Sequence, residues 1–266
     1  MSDTQYITSA NNQTIKRVKR LLTSSRFRRE QAEVVAEGIH LTKSYLVSGG
    51  TPKTYLYAES AIVNPEVSSL IEKLQMNGVV GAAVKDSVFE AVFDIHAGVG
   101  IAIVFELPIN PQRRDEVGDE LLLEDVQDPG NIGTILRTAA AVGVQCVYLS
   151  ANSSSVWSPK ALRAGMGAQF SLNIYEGVDL VEHARHAQVP LFVTSLEKSE
   201  SIYEIDMTHP IGWVFGNEGQ GVSTELMELA SKRVTIPQAV TAVESLNVSA
   251  AVAVCLFEQQ RQRLVA

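Results

Sequence analysis

The first segment whose residue types could do chemistry reads LLLEDVQDPGNIGTILRTAAAVG, over residues 121–143. Arg137 lies in a helical stretch whose other residues are nearly all apolar or small. Arg137 belongs to the one narrow polar stripe of this helix. Asn131 lies six residues earlier, which is not same-face helical spacing, so we expect it on the preceding loop or at the helix N-cap. Taken singly, the two would be a capping Asn and a solvated Arg.

A glycine-rich loop follows the strand pattern of the second segment, GWVFGNEGQGVS, over residues 212–223. Gly216, Gly219 and Gly221 predict a tight turn or a close approach of the backbone to a small ligand, and Glu218 lies among them. The glycines are separated first by two residues and then by one, whereas the dinucleotide-binding fingerprint has the shorter separation first. The Gly-Lys-Ser/Thr of a P-loop is also missing. The loop therefore indicates a small-molecule site of unspecified chemistry. A tight turn with a surface Glu is the alternative.

The third segment, IPQAVTAVESLNVSAAVAVCLFEQQ, covers residues 236–260. Its helix is apolar almost all round, which predicts burial in the core or at a subunit interface. Ser245 and Asn247 are the polar residues at its N-terminus, where free backbone N–H groups attract anionic or carbonyl groups. Ordinary helix capping is the alternative interpretation.

The elements around these segments alternate regularly between short apolar strands and helical patterns. The predicted strands read, in order, LLLE, CVYLS, LNIY, LFVTS, GWVFG and RVTIP, and a long helix is predicted over Ser245–Arg263. Such alternation predicts an α/β fold with a parallel sheet and helices on both faces. Ligands collect at the carboxyl ends of the strands in that architecture, so chemistry is expected in the loops after LLLE, LFVTS, GWVFG and RVTIP.

The first hundred residues resemble a second, smaller α/β unit. Helices are predicted over 14–22, 37–46 and 68–76, and strands over 54–58, 78–84 and 100–106. Residues 107–119, LPINPQRRDEVGD, combine prolines and charges without periodicity. The predicted division is therefore a domain over 1–106, a linker over 107–119 and a second domain over 120–266.

The distribution of charge points to a nucleic-acid partner, although the net charge of −8 at first argues against one. Residues 10–29 carry seven basic groups and no acidic group. A basic segment on an acidic body is the electrostatic footprint that RNA binding needs, and a solvated helix face is the alternative. The candidate RNA contacts are Lys16, Lys19, Arg20, Arg26, Arg28 and Arg29.

Composition narrows the protein class further. No apolar run approaches the roughly twenty residues of a membrane span, and the N-terminus lacks the apolar core of a signal peptide. The two cysteines lie in apolar stretches, and the five histidines show no metal-ligand spacing. We therefore expect a cytoplasmic protein with free thiols and no metal.

The three segments share an order with a known family. D-P-x-N-x-G-x-x-x-R-T-A, then G-N-E-G-x-G, then I-P followed by E-S-L-N-V-S are similar to the three motifs of the SpoU (TrmH-type) RNA 2′-O-ribose methyltransferases. SPKALRAGMGAQF, over residues 158–170, resembles the family's segment between its first two motifs. NNQTIKRVKRLL…RFRREQAEVVAEGIHL resembles the ribosomal-protein-like substrate-binding domain of members that modify ribosomal RNA. The motifs cover most of residues 120–258, and their order makes the match highly specific.

The resemblance implies methyl transfer from S-adenosylmethionine to a ribose 2′-hydroxyl of RNA, above all ribosomal RNA. It implies a C-terminal trefoil knot of the SPOUT type, which general topology rules would exclude. It also implies that a small α/β RNA-binding domain precedes the methyltransferase domain in the chain. The methyltransferase domain is expected to form a homodimer.

Site residues follow from the resemblance as well. Arg137 would be the central catalytic residue, stabilising the alkoxide and the neighbouring phosphate rather than acting as a literal base. Asn131, Glu218 and Asn247 would position the ribose and Arg137, and Ser245 would support the cofactor side. Backbone groups would hold the cofactor, at Thr194, Leu196, Gly216, Ile236 and Leu246. QAVTAV, over residues 238–243, lacks the glycine that the family usually has there. The resemblance therefore implies cofactor contacts for the residues on either side of this segment, but not for the segment itself.

Three alternatives stay open. A catalytically silent RNA-binding relative would keep the fold, although all the polar motif residues are present. A nicotinamide-dependent oxidoreductase of the doubly wound class is disfavoured by the glycine spacing. A transfer RNA substrate is disfavoured by the N-terminal domain.

Overall fold

The computed structural model describes residues 5–96, 99–111, 117–195, 198–239 and 245–265. The chain divides into two compact units. The N-terminal unit contains Met1–Ile109 and Trp157–Phe170, and the C-terminal unit contains Asn110–Val156 and Ser171–Ala266.

Both units are built from short strands and helices. The strands are β1 (Gln5–Ile7), β2 (Glu33–Glu37), β3 (Thr54–Ala58), β4 (Gly81–Val84), β5 (Ile101–Glu106), β6 (Glu120–Leu123), β7 (Cys146–Leu149), β8 (Asn173–Tyr175), β9 (Leu191–Thr194), β10 (Glu200–Ser201), β11 (Gly212–Phe215) and β12 (Lys232–Thr235). The α-helices are α1 (Gln13–Thr23), α2 (Ser25–Gln31), α3 (Ile39–Val47), α4 (Pro65–Met76), α5 (Asp86–Glu90), α6 (Pro129–Val142), α7 (Pro159–Gly165), α8 (Leu180–Arg185), α9 (Thr224–Leu229) and α10 (Val248–Val265).

The sheet of the N-terminal unit is mixed, and its strand order within the described residues is β1-β4-β3-β5-β2. β1, β4 and β3 are parallel, whereas β5 is antiparallel to both β3 and β2. Ile15, Val18 and Leu21 of α1 are buried, at the spacing of one helix face. The opposite face of α1 is left to polar and basic side chains.

Most elements of this unit agree with the sequence prediction. α1 extends the predicted helix by one residue at each end, and β3 coincides with the predicted strand. The helix predicted over 37–46 instead begins at Ile39, because Glu37 is the last residue of β2. No pattern predicted β1, β2 or α2. In α2 the single apolar residue is Phe27, so hydrophobic periodicity carries no information there.

The segment Trp157–Phe170, expected within the second domain, belongs to the N-terminal unit. The Phe105 ring contacts Trp157 and Phe170, with ring centroids 6.4 Å and 5.7 Å apart. Arg163 of α7 pairs with Glu37 at 3.5 Å and with Asp94 at 3.3 Å. These aromatic and ionic contacts explain why the segment groups with the first unit. Of the predicted linker, residues 112–116 lie outside the described part of the chain.

The sheet of the C-terminal unit is parallel at every described strand pair, with the order β10-β12-β9-β11-β6-β7-β8. The predicted α/β fold with a helix-flanked parallel sheet is confirmed. Leu121, Leu122 and Leu123 of β6 are fully buried, as a strand covered on both faces requires. The carboxyl ends of β12, β9, β11 and β6 therefore lie side by side. The trefoil knot stays a prediction.

The last helix, α10, begins at Val248, three residues after the predicted start at Ser245. Asn247 caps it, because its Oδ1 accepts from Ser249 N at 2.9 Å. In the single chain α10 is buried on one side, and burial of its other side at a subunit interface stays a prediction. Val252 on that side is fully buried, whereas Phe257 is 50% exposed in the single chain.

The C-terminal half of α10 is bonded to the residues that lead into β6 and β11. Gln259 Oε1 accepts from the buried Trp213 Nε1 at 2.8 Å. Asp119 Oδ1 accepts from Ile211 N at 2.9 Å, from Gln259 Nε2 at 3.0 Å and from an Arg263 guanidinium nitrogen at 2.8 Å. The C-terminal half of α10 is therefore bonded at the amino ends of the strands, away from their carboxyl ends.

Candidate active site

Side chains from all three polar segments meet at the carboxyl ends of β6 and β11. Asn131 Nδ2 donates to Glu218 Oε1 at 2.9 Å, and Asn247 Nδ2 donates to Asn131 Oδ1 at 3.1 Å. Glu218 Oε2 also accepts from Gln127 N at 3.4 Å. Asn131, Glu218 and Asn247, here called the polar cluster, are thus brought together as the sequence analysis expected. Their catalytic roles stay predictions.

The start of α6 places Asn131 differently from the expectation. Asp128 is the N-cap, and its Oδ1 accepts from Gly130 N at 2.6 Å and from Asn131 N at 3.0 Å. Pro129 takes the first helical position, where its missing N–H costs nothing. Asn131 therefore lies inside the first turn of α6, and the expectation of a loop or N-cap position is wrong. Asp128 competes better for the cap because it directly precedes Pro-Gly.

Arg137 lies further along α6, roughly 9 Å along the helix axis from Asn131 at 1.5 Å per residue. Its side chain is exposed and forms no hydrogen bond or salt bridge with the residues that the structure describes. The structure therefore does not bring Arg137 into the polar cluster. It presents a guanidinium whose donors are available for a phosphate or an oxyanion.

The glycine loop after β11 is a tight turn closed by its own backbone. Asn217 and Gly221 exchange two backbone hydrogen bonds, at 3.0 Å and 2.9 Å. A Cβ on Gly216 would lie 2.1 Å from the Gly221 carbonyl oxygen, and Gly221 has a φ of 74°. Both positions therefore require glycine. A Cβ on Gly219 would meet only Asn217 Oδ1, at 3.5 Å, so packing within the protein does not require glycine there.

Asn217 is a functional candidate that the sequence analysis missed. Its Oδ1 accepts from Gly219 N at 2.9 Å and from Gln220 N at 3.1 Å, so the side chain shapes the loop. Its Nδ2 donates to the Asp125 carbonyl at 2.9 Å, which joins the loop to the end of β6. An Asn that begins a glycine-rich turn is a known signal for such side-chain-to-backbone bonds, and it could have identified the residue.

The electrostatic state of Glu218 follows from its partners. Burial alone would raise the pKa of Glu218, but hydrogen bonds from Asn131 and from backbone N–H groups, including that of Gln127, lower the pKa below its ordinary value. Glu218 is therefore a carboxylate at neutral pH. It fixes the Asn131 amide with Nδ2 towards Glu218 and Oδ1 towards Asn247.

The expected cofactor-binding residues Thr194, Gly216 and Ile236 lie at the carboxyl ends of neighbouring strands. Val193 of β9 pairs with Val214 of β11, and Thr194 pairs with Val234 of β12, so the three strand ends are level. Backbone groups that leave a parallel sheet at adjacent strand ends fit a ligand held mainly through the main chain. This donor set fits S-adenosylmethionine as the resemblance implied.

The remaining expected cofactor residues lie close to α10 or outside the described part of the chain. Ser245 and Leu246 are exposed and directly precede the cap residue Asn247. Leu196 lies outside the described residues, as do residues 240–243 of the atypical segment.

The basic segment of the N-terminal unit is presented on α1 and α2. Lys16, Lys19 and Arg29 are exposed and unpaired with any residue that the structure describes. Arg20 is exposed and lies over the Phe27 ring, with the guanidinium carbon 3.8 Å from the centroid. The segment therefore displays positive charge to solvent on both helices.

Two of the expected RNA contacts have partners within the protein. Arg26 is exposed and pairs with Glu30 at 2.6 Å, one turn away on α2. Arg28 is only 6% exposed, and its guanidinium donates to the carbonyl of Leu21 at 2.7 Å. Arg28 therefore satisfies the C-terminal end of α1, and its assignment as an RNA contact is wrong.

The described residues form neither a membrane-spanning helix nor a metal-ligand group. No described helix is both long and apolar enough to cross a bilayer. Among the described His, Cys, Asp and Glu residues, no group of three or more is arranged to hold a metal ion.

Comparison with known proteins places this architecture in context. Residues 120–257 match the model of the SpoU rRNA Methylase family. An uncharacterized tRNA/rRNA methyltransferase of Synechocystis sp. is 34% identical over 272 aligned residues, which cover 100% of this chain and 97% of the relative. The 23S rRNA (guanosine(2553)-2′-O)-methyltransferase of Bacillus subtilis is 28% identical, over 95% of this chain and 98% of the relative. The crystal structure of an AdoMet-bound rRNA methyltransferase from Sinorhizobium meliloti superposes with a TM-score of 0.84 at 30% identity, over 97% of this chain and 98% of the other.

Proposed function

The chain belongs to the SpoU rRNA methylase family, and from this membership and the geometry of the site we infer that it transfers a methyl group from S-adenosylmethionine to a ribose 2′-hydroxyl of ribosomal RNA. The observation that carries the inference is the polar cluster. Each of the three motif segments contributes one residue to it, and the hydrogen bonds at 2.9 Å and 3.1 Å join all three. Three chain-distant polar residues bonded at the ends of parallel strands fit a reaction centre better than a set of separate helix caps.

Bound S-adenosylmethionine supplies a methyl group on a sulfonium, which needs no further activation. The ribose hydroxyl does need activation, because it is a poor nucleophile until it loses its proton. That proton passes to solvent at the exposed polar cluster as the bond from the hydroxyl oxygen to the methyl group forms. Arg137 keeps its own proton, so we assign it to stabilising the developing alkoxide and binding the neighbouring phosphate. The polar cluster orients the ribose against this charge, and ionised Glu218 keeps the Asn131 amide in one orientation.

Cofactor binding is assigned to the strand ends beside the polar cluster. Backbone groups at Thr194, Gly216 and Ile236 fit this role because β9, β11 and β12 are neighbours. We extend the assignment to Leu196, Ser245 and Leu246 on the basis of the family motifs alone.

The substrate RNA is assigned to the basic segment, without Arg28. The exposed basic residues of this segment provide most of the phosphate contacts, because the remainder of the chain is acidic. They are Lys16, Lys19, Arg20, Arg26 and Arg29. We also propose a homodimer formed through the C-terminal unit, supported by the half-exposed Phe257 on α10. An enzyme for ribosomal RNA is expected to work in the cytoplasm.

The test is methyl transfer from radiolabelled S-adenosylmethionine to RNA from a strain that lacks the gene. We expect incorporation into ribosomal RNA at a nucleotide whose 2′-O-methylation is missing in that strain, mapped by resistance to alkaline cleavage. Incorporation into transfer RNA alone would overturn the substrate. Cofactor binding by calorimetry without transfer to any RNA would indicate a silent relative, and a nicotinamide cofactor retained on purification would revive the oxidoreductase alternative.

A further inference from the structure

The loop that follows β6 is held by the loop that follows β7. Ser150 Oγ donates to Asp125 Oδ1 at 2.6 Å and accepts from Asp125 N at 2.8 Å. Asn152 Nδ2 donates to the other Asp125 carboxylate oxygen at 3.1 Å. Both oxygens of the Asp125 side chain are therefore bound within the protein. Asp125 is not among the residues assigned above to the reaction, the cofactor or the RNA.

The backbone of Asp125 has an unusual conformation. Its φ is 53°, in the left-handed region, which an L-residue other than Asn or Asp adopts only at a cost. In this conformation the Asp125 carbonyl oxygen accepts from Asn217 Nδ2 at 2.9 Å. A return to a negative φ would reorient the adjoining peptide groups and weaken or break the hydrogen bond from Asn217 to the Asp125 carbonyl.

Asn217 transmits the position of Asp125 to the glycine loop. Its amide is bound at both ends, by the Asp125 carbonyl on one side and by the N–H groups of Gly219 and Gln220 on the other. Glu218 lies between these bonded positions and reaches Asn131 from there. A shift of the loop would therefore displace the Glu218 carboxylate first. It would reach Asn131 and Asn247 only through the hydrogen bond between Glu218 and Asn131.

We propose that Asp125 is a positioning residue for methyl transfer: its side chain, bound by Ser150, holds the left-handed backbone that directs its carbonyl at Asn217, and Asn217 sets the loop that carries Glu218. The inference rests on the proposed methyltransferase function. Asp125 needs no contact with substrate or cofactor in this role. Misplacing reacting groups by about 1 Å can cost two orders of magnitude in rate, so small loop shifts matter.

Substitutions at position 125 separate the backbone from the side chain. Asp125→Asn keeps an acceptor for Ser150 and tolerates the left-handed region, so kcat should stay within about twofold of wild type. Asp125→Gly keeps the conformation accessible but loses the side-chain bonds, so kcat should fall by a few-fold. Asp125→Val loses both, so kcat should fall by about tenfold or more, with the KM for RNA unchanged.

Three further variants protect the test against simple misfolding: Asn217→Asp, its combination with Asp125→Val, and Asp179→Ala. Asn217→Asp keeps the acceptor for Gly219 and Gln220 but replaces the donor that Asp125 needs, so it should lower kcat like Asp125→Val. The double variant should be no worse than either single one, because both break the same hydrogen bond. Asp179→Ala is the matched control. It removes an Asp that caps α8 by accepting from Glu182 N at 3.0 Å, and it should lower the melting temperature without changing kcat.

The outcomes are decisive when kcat and KM are measured below the melting temperature of every variant. The graded order Asn, Gly, Val with non-additivity at Asn217 supports the proposal. Equal kcat for wild type and Asp125→Val overturns it. An Asp125→Asn variant as impaired as Asp125→Val also overturns it, because Asn keeps the acceptor for Ser150 and the left-handed backbone. If wild type itself transfers no methyl group to ribosomal RNA, the proposed function fails instead.

Discussion

The polar cluster of the C-terminal unit and the basic segment of the N-terminal unit are built in opposite ways. In the polar cluster, the amide of Asn131 is bound at both ends and Glu218 has both a side-chain and a backbone donor. In the basic segment, Lys16 and Lys19 are exposed without a partner among the described residues. Side chains that must meet a reacting atom need fixed positions, whereas side chains that meet a phosphate backbone can adapt.

One residue in each region departs from this rule. Arg137 belongs to the reaction centre by its motif, yet it is exposed and unpaired with the described residues like the lysines of the basic segment. Arg28 belongs to the basic segment, yet it is buried and bonded like a member of the polar cluster. These two residues are the places where the comparison can be tested most directly.

The largest effect is expected at Arg137. Arg137→Ala removes the charge assigned to the developing alkoxide, so kcat should fall by about two to three orders of magnitude. Arg137→Lys should not restore the rate, because an ammonium lacks the planar fork of a guanidinium. Affinity for S-adenosylmethionine, measured by calorimetry, should stay within a few-fold. Methylation by Arg137→Ala at near the wild-type rate would show that its exposure reflects an ordinary surface residue.

The second effect concerns the unpaired basic residues. Reversing Lys16, Lys19 and Arg29 to Glu should weaken RNA binding by about tenfold or more near 0.1 M salt. It should flatten the slope of log affinity against log salt by about two units, if each side chain neutralises one phosphate at roughly 0.7 to 0.9 per contact. Filter binding over a salt series measures both. Cofactor affinity serves as the internal control and should not change.

An unchanged salt slope in that triple variant would mean that the segment is only a solvated helix face. RNA would then be held elsewhere, and the contrast between the two regions would lose its functional meaning.

Arg28 supplies the matched control within the same segment. Arg28→Ala removes a buried guanidinium and leaves the Leu21 carbonyl unbonded, which should lower the free energy of unfolding by about 1–3 kcal/mol. RNA affinity and the salt slope, measured below the melting temperature, should match wild type. A flatter salt slope in this variant would contradict the structural role and return Arg28 to the RNA-binding set.

The smallest effect is the pH dependence of Glu218. Because its pKa is lowered in the folded state, Glu218 contributes stability above its ordinary pKa of 4.5, and this contribution disappears as the pH falls through the lower folded value. The melting-temperature difference between wild type and Glu218→Gln should therefore be constant from neutral pH to about 5 and shrink only below that. A difference that already vanishes above pH 5 would mean that the hydrogen bonds from Asn131 and Gln127 do not stabilise the carboxylate.

The sequence predicted the parallel sheet and the meeting of Asn131, Glu218 and Asn247, because strand alternation and family motifs report both. It did not identify the residue that caps α6, since Asp128 and Asn131 are both good capping residues, and the preference of proline for the first helical position, which favours Asp128, was not applied. It also could not separate Arg28 from its neighbours. Charge pattern treats all arginines alike, whereas burial of Arg28 depends on how α2 packs at the end of α1.

Helix α10 joins two distant parts of the C-terminal unit. Its 18 residues span roughly 27 Å, with the cap residue Asn247 at the site and Gln259 and Arg263 bonded at the far edge of the sheet. Because an α-helix is stiff, a small rotation of α10 at its C-terminal end would displace Asn247 at its N-terminal end. An expression tag fused directly after the helix, or a deletion from Arg263 onward, should therefore behave in assays as a mild active-site mutation.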